Sequence, residues 1–346
     1  MKHSIIFFLL LIISCTEQHE VKVPTYLDFK GMGLTGKEDI KAMHVTSEGI
    51  LFIGGQSEAL SKEAVIYKST DAGKNWTLCY TGVGEISKIS SSENKNLFAL
   101  KYPNHSDDNS EYEFLTSQDS GKSWENIHFP GEKIWNYQIV NDSCYVIFVK
   151  DSNNSIAMYI TYNSGIDWQF FDLLERNNLI KYSSIKVRNN IVHCLYNTQF
   201  NKDSMKYFSF NLISKDMKTA NVPIELENPD IFLPLSGGVK LIEKFDNTLD
   251  QYKMSDQGVF VMEKKFDLKT ENSLVELLEI ENKLVAIIVT QKGHFNDYTM
   301  LFSENDGIDW YEIPDFNVVK YGPYDNYNSR LFGYIGKGKL RLIDWK

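Results

Sequence analysis

Basic charge is in short supply in this chain. Its 346 residues hold 36 lysines and arginines, only four of them arginine, against 46 acidic side chains, for a net charge of −10. A surface of that sign repels phosphate backbones, which argues against a nucleic-acid partner. Cysteine is sparse as well, with four in the whole chain. No CxxC and no Cys/His cluster is present, so nothing points to a bound metal, and no cofactor is expected. Cys79, Cys144 and Cys194 are widely spaced and each lies in an apolar, strand-like run, which allows at most one disulfide and favours buried free thiols. Long apolar runs are missing beyond residue 13. Stretches such as Tyr145 to Val149 and Leu284 to Thr290 are strand-sized and bounded by polar turns, far short of the ~20 residues a membrane-spanning helix needs.

The first residues, MKHSIIFFLLLIISC, place Lys2 ahead of an apolar run from Ile5 to Ile13. That is the layout of a secretory signal segment, too short to span a bilayer. The run ends in Ile12-Ile13-Ser14-Cys15 and gives way to polar Thr16-Glu17-Gln18. This resembles a bacterial lipobox, which implies cleavage after Ser14 and acylation of Cys15 as the mature N-terminus. On that resemblance residues 1–14 are a signal peptide, 15–22 a lipid-anchored tether, and 23–346 the folded domain. Loss of Lys2 leaves 35 basic against 46 acidic groups. Thr16-Glu17 puts no aspartate second after the cysteine, which implies the outer membrane or cell surface of a bacterial envelope rather than the inner membrane.

An octet recurs along the chain: STDAGKNW at 69–76, SQDSGKSW at 117–124, TYNSGIDW at 161–168 and SENDGIDW at 303–310. The shared pattern is Ser/Thr-x-Asp/Asn-x-Gly-x-x-Trp, carried by Ser69, Asp71, Gly73 and Trp76; by Ser117, Asp119, Gly121 and Trp124; by Thr161, Asn163, Gly165 and Trp168; and by Ser303, Asn305, Gly307 and Trp310. The third letters lie 48, 44 and 142 residues apart. The last interval is close to three repeats of about 47, which predicts two worn copies between them. Ser214-Lys215-Asp216 and Ser255-Asp256-Gln257-Gly258 occupy the expected places, both without the tryptophan. Each octet separates two strand-like runs. The Asp or Asn side chain suits a turn that bonds its own backbone, the glycine a positive φ, and the tryptophan the buried start of the outgoing strand.

A second hairpin lies upstream of every octet, turning at Ser47-Glu48-Gly49 in the first unit and at Asn141-Asp142-Ser143 in the third. Four strands per 40–50 residues, repeated, is the signature of a β-propeller. The octets resemble the Asp-box, or BNR repeat, found in sialidases, sortilin-type receptors, some glycan hydrolases and photosystem assembly propellers. Six units centre on positions 71, 119, 163, 216, 256 and 305. Val318 to Tyr321, Arg330 to Ile335 and Lys339 to Trp345 supply three further strands, and Thr25 to Phe29 a fourth. Together they predict an all-β chain of seven four-stranded blades, closed by the N-terminal strand, with six blades as the other arrangement the sequence allows. A closed ring has no free edges, and a monomer is expected.

Lettering the strands of a blade A to D outward from the axis, the octets are C–D turns, and the resemblance implies that ligands use the opposite face, built by the B–C and D–A loops. Longer polar stretches fall there: 54–62, 102–108, 197–204, 245–251 and 291–298. His105, Asp107, Asp108, His294, Asp297 and Tyr298 from these loops, with Tyr321, Tyr324 and Tyr327 near the seventh blade's inner strand, form a candidate binding rim. Each of these residues also has the plain reading of a solvated loop or a gap-filling aromatic. His44 and His193 fall in strands, where a satisfied internal histidine is expected.

The resemblance to sialidases implies three arginines around a substrate carboxylate, one of them in an N-terminal Arg-Ile-Pro motif, with a Tyr–Glu nucleophile pair and an aspartate acid/base. This chain has only Arg176, Arg188, Arg330 and Arg341, none in Arg-Ile-Pro and none before the first blade. That weighs against a sialidase. A glycoside hydrolase of another specificity needs two carboxylates about 5–10 Å apart, which 46 acidic residues leave open. The expectation is a non-enzymatic binding or scaffold propeller, with an envelope protein or a glycan as partner and no catalytic residues assigned.

Overall fold

The computed structural model describes residues 25–30, 34, 37–60, 63–103, 112–130, 133–150, 156–172, 180–188, 190–198, 201–222, 231–235, 238–245, 248–255, 259–267, 273–280, 283–292, 295–304, 309–313, 324–327, 330–336 and 339–344. Their strands form seven antiparallel sheets of four. In blade 1 the strands are Glu38–Val45, Leu51–Ser57, Glu63–Ser69 and Thr77–Val83, A to D outward from the axis. Blades 2 to 6 repeat the meander, with A strands at Glu85–Ser91, Ile134–Ile139, Ile180–Arg188, Ile231–Leu235 and Ser273–Ile280. The seventh takes Tyr324–Tyr327, Arg330–Gly336 and Lys339–Asp344 from the C-terminus and Thr25–Lys30 from the N-terminus. Thr25 pairs with Asp344 and Lys30 with Lys339, so the first strand closes the ring. The A strand of blade 7 also contacts that of blade 1. Positions 318–321, expected as the first strand of this blade, lie outside the described residues; the described strand there is Tyr324–Tyr327.

Sheets stacked around an axis bury both of their faces, so middle strands lose the in–out alternation of a one-sided sheet. Leu97–Lys101 and Tyr145–Val149 are buried at every position. The core is therefore a series of layers between blades. Phe98, Phe114, Tyr137, Tyr145 and Ile147 fill the layer between blades 2 and 3, and Val146, Phe148, Met158, Val192, Cys194 and Phe208 that between blades 3 and 4. Cys79, Cys144 and Cys194 are all free thiols. Burial pushes Cys79 and Cys144 up to about 11 and Cys194 higher still, so they behave as small apolar residues.

The octet turns share one geometry. Ser69 Oγ donates to Asp71 Oδ1 at 2.8 Å and accepts from Gly73 N at 2.9 Å, while Asp71 Oδ1 accepts from Asn75 N at 2.9 Å. Ser117 and Asp119 repeat this with Gly121 and Ser123, and Thr161 and Asn163 with Gly165 and Asp167. Two successive residues take left-handed φ: Ala72 at 59° and Gly73 at 86°, Ser120 at 60° and Gly121 at 86°. A Cβ on Gly121 would also approach Phe52 Cε1 of blade 1 to 2.8 Å, so this glycine is fixed by packing as well as by conformation. Trp124 packs edge-on against Tyr80 of blade 1, and Trp168 Nε1 donates to the carbonyl of His128 in blade 2. Each of these tryptophans thus seals its blade to the outer edge of the one before.

The worn copies differ from each other. In blade 4 the turn is organised by Asn211, whose Oδ1 accepts from Ile213 N and Ser214 N, rather than by Asp216 as the spacing suggested. An asparagine ending the C strand reaches these amides directly, so this turn is a different structure. In blade 5, Ser255 Oγ still accepts from Val259 N four residues on, the bond Ser69 makes to Gly73. Asn305 and Gly307 of the last octet lie outside the described residues. Ser303 ends its C strand buried, and Trp310 directly precedes the D strand Tyr311–Glu312.

Candidate functional site

The side most expected to bind is partly rebuilt by the structure. Positions 197–204, 245–251 and 291–298, read as loops, are hairpin arms: Thr198 pairs with Asn201, Phe245 with Thr248 and Lys292 with Phe295. Ladder pairing satisfies backbone groups that a loop would leave to water, and here it continues to Thr198, Phe245 and Lys292. Asp297 and Tyr298 are therefore not loop residues. They sit in the C strand of blade 6 opposite Thr290 and Val289. Tyr324 and Tyr327 likewise belong to a strand, the innermost of blade 7, opposite Gly333 and Arg330. His105, Asp107, Asp108, His294 and Tyr321 lie outside the described residues, as does Cys15.

Among the described side chains, the chemistry gathers in the central channel. Five of the seven A strands carry a β-bulge at the same place: between Ile40 and Ala42, Ile86 and Lys88, Ile134 and Asn136, Ile180 and Tyr182, and Leu274 and Glu276. The bulge lies near the strand's first residues, at the mouth on the B–C/D–A face. A bulge unpairs one residue and re-aims its neighbours, and such irregularities recur beside binding sites. Directly after the second bulge stands Lys88. Its Nζ donates to Asn136 Oδ1 at 3.0 Å and to the Tyr137 carbonyl at 2.6 Å, and lies 4.7 Å from the centre of the Tyr137 ring. Tyr137 is fully buried, with its hydroxyl bonded to Ser90 and the Phe98 carbonyl.

Lys88 is half-buried by area, yet its ammonium lies so deep that burial lowers it to about 8, with repulsion from Lys186 adding to the effect. Lys186 belongs to the A strand of blade 4, two blades on, and its charge acts on Lys88 from there. Among the described residues two of the three Lys88 N–H groups have acceptors, and a deeply placed cation in an acidic chain suits an anionic group. At the mouth Lys41 pairs with Asp39 at 2.9 Å; toward the octet-side ends of the A strands His44 Nε2 lies 2.7 Å from Ser91 Oγ. Buried His193 is bonded through Nδ1 to the Tyr207 hydroxyl, and burial lowers it to about 4. Both histidines thus have the partners expected of them. Among the described residues no group of three or more His, Cys, Asp or Glu converges in a way that would hold a metal ion.

The channel residues were not singled out from the sequence, although a signal exists. Ile40, Ile86, Ile134, Ile180 and Leu274 recur at 46, 48, 46 and 94 residues, in step with the octets. Aligning the units on these aliphatics would have placed Lys88 and Asn136 at equivalent positions.

The opposite face carries the octets, and their electrostatics are local. Bonds from Asn75 and Ser69 hold the Asp71 carboxyl at about 2, and bonds from Ser123 first hold Asp119 lower still. Positions three and seven of the octet are coupled: Asn75 Nδ2 donates to Asp71 Oδ2 at 2.6 Å, whereas Asn163 Nδ2 donates to Asp167 Oδ2 at 2.9 Å. The amide and carboxylate have changed places. A carboxyl depressed by folding stabilises above its unfolded value near 4, and that contribution is lost as pH falls toward 2. Asp71→Asn is therefore expected to lower the urea midpoint at pH 7 and to flatten its fall between pH 4 and 2. Adding Asn75→Asp is expected to restore the midpoint, because it reproduces the third octet; a double variant no better than the single one would refute the coupling.

No protein-family model matches the sequence, and none of the curated proteins matches it. Solved structures do. YCF48 bound to D1 peptide aligns with a TM-score of 0.62 at 14% identity, over 95% of this chain and 100% of that one. Catalytically inactive virginiamycin B lyase from Staphylococcus aureus with quinupristin aligns with a TM-score of 0.60 at 10% identity, over 93% and 100%. The GH74 xyloglucanase from Xanthomonas campestris aligns at 0.58 and 10%, over 91% of this chain and 53% of that one. At such identities the likeness shows the fold, a β-propeller, and nothing finer.

Proposed function

We propose that this protein is a lipid-anchored, non-enzymatic binding propeller of a bacterial envelope, which receives a segment of a protein partner at its B–C/D–A face. The observation that carries the reading is Lys88, held by Asn136 and the Tyr137 carbonyl directly after the bulge of an inner strand. An anionic group on the partner, a side-chain or terminal carboxylate, would complete the Lys88 donor set beside Asn136. The fold likeness to YCF48 bound to D1 peptide supports a propeller of this size holding a peptide. The lipobox-like Ile12-Ile13-Ser14-Cys15 supports the anchor.

The test separates binding from folding. Burying a charged Lys88 costs roughly 3 kcal/mol, the equivalent of its shift from 10.5 to about 8. The folded value is below the unfolded one, so this cost is full below pH 8 and disappears as pH rises toward 10.5. Lys88→Met is thus expected to stabilise the protein at pH 7 by about 1–3 kcal/mol. It is also expected to weaken capture of the partner from solubilised envelopes. Wild-type affinity for the captured peptide should fall as pH rises above 8, and that of the variant should not change. Equal capture by the two proteins would refute the channel as the site, and cleavage of any member of an oligosaccharide panel would refute the non-enzymatic reading.

A further inference from the structure

The C–D turn tips change character around the ring. The octet's sixth position is Lys74 in blade 1 and Lys122 in blade 2, both exposed, and Ile166 in blade 3, 80% exposed. The worn turns of blades 4 and 5 present Ile213 at 75% and Val259 at 53% exposure. Branched apolar side chains exposed in or at the close of the C–D turns of three consecutive blades, unneeded by turns that hold themselves with Ser, Thr, Asn and Asp, call for an explanation. Blades 3 and 4 are tied together there: Tyr162 donates to the Leu212 carbonyl at 2.8 Å, and Lys215 lies over the Tyr162 ring. Carboxylates on this side are partly occupied, Glu48 by Lys95 and Glu304 by Lys283.

The direction of the first strand says what lies opposite. Thr25 pairs with Asp344, the last residue of its blade's C strand, so the chain enters the fold at the C–D edge, on the octet side. Ahead of it run 24 residues that include the apolar stretch Ile5 to Ile13. Positions 15–24 reach at most about 35 Å when extended, which keeps the octet face near anything the leading segment is attached to.

We infer that the octet face is a lipid-contacting surface, with Ile166, Ile213 and Val259 entering the interface and Lys74 and Lys122 meeting anionic headgroups. The inference rests on the anchoring proposed above and adds an orientation: the channel mouth points away from the bilayer, toward partners. Apolar tips beside lysines are the composition that binds anionic interfaces.

The full chain, purified with its anchor and reconstituted into phosphatidylglycerol–phosphatidylethanolamine vesicles, would be footprinted with a lysine-acylating reagent. Detergent-solubilised protein is the baseline, and Lys37 and Lys133 on the D–A side are internal controls. Labelling of Lys74 and Lys122 is expected to fall about fivefold on vesicles while the controls stay level. In Ile166→Glu/Ile213→Glu, flotation with vesicles is expected to persist and the protection to vanish. Protein that floats with all four lysines equally labelled would overturn the orientation and leave the anchor standing. Protein that does not float would overturn both.

Discussion

Deleting Thr25–Lys30 is expected to cost on the order of 5 kcal/mol, from six ladder positions at about 1 kcal/mol each. A typical domain has only about 5–15 kcal/mol in total. The loss goes beyond the bonds themselves, because it strips the outer strand from blade 7 and leaves Lys339–Asp344 as an open edge. The expected result is a much lower urea midpoint and concentration-dependent association. A synthetic peptide spanning residues 23–32 should restore the midpoint in trans. A deletion variant as stable as the parent would show that the ring does not depend on this closure.

Trp76→Ala is expected to destabilise by about 3–5 kcal/mol, the range for removing a large buried aromatic. Trp76 is 7% exposed and packs with Ile40, Val45, Leu51, Ile53 and Tyr67. Trp124 is only partly buried, in the layer shared with Cys79 and Tyr80, so the same change there should cost less. Urea denaturation of the two variants tests the ranking, and partner capture per folded molecule should be unchanged in both. Equal effects would mean that Trp76 and Trp124 are interchangeable despite their different burial. A negligible effect at Trp76 would remove its role in the core.

The octet turns were legible because their chemistry is short-range. Ser69, Asp71 and Gly73 bond one another within five residues, so the pattern of types alone specifies the bend. Repetition of that bend set the period but left seven or six blades open, and Thr25 to Phe29 could be assigned to a seventh because a closed ring needs a fourth strand there. The coupling of positions three and seven was also written in the sequence, as Asp71 with Asn75 against Asn163 with Asp167. It became readable only once the side chains were seen to touch.

The candidate site was hidden for the opposite reason. Lys88 and Asn136 come from A strands one repeat apart, and only the stacking of blade 2 on blade 3 brings them together. Loop-like composition misled at 197–204 and 291–298, where polar residues continue a ladder whose partner strand decides the matter. By itself the sequence determined the all-β repeat, the turn geometry and the closing strand, all set by bonds between near neighbours or by the period. The tertiary structure alone decided which side chains share the channel and on which face the leading segment enters, because both depend on strands distant in sequence and on the direction in which each one runs.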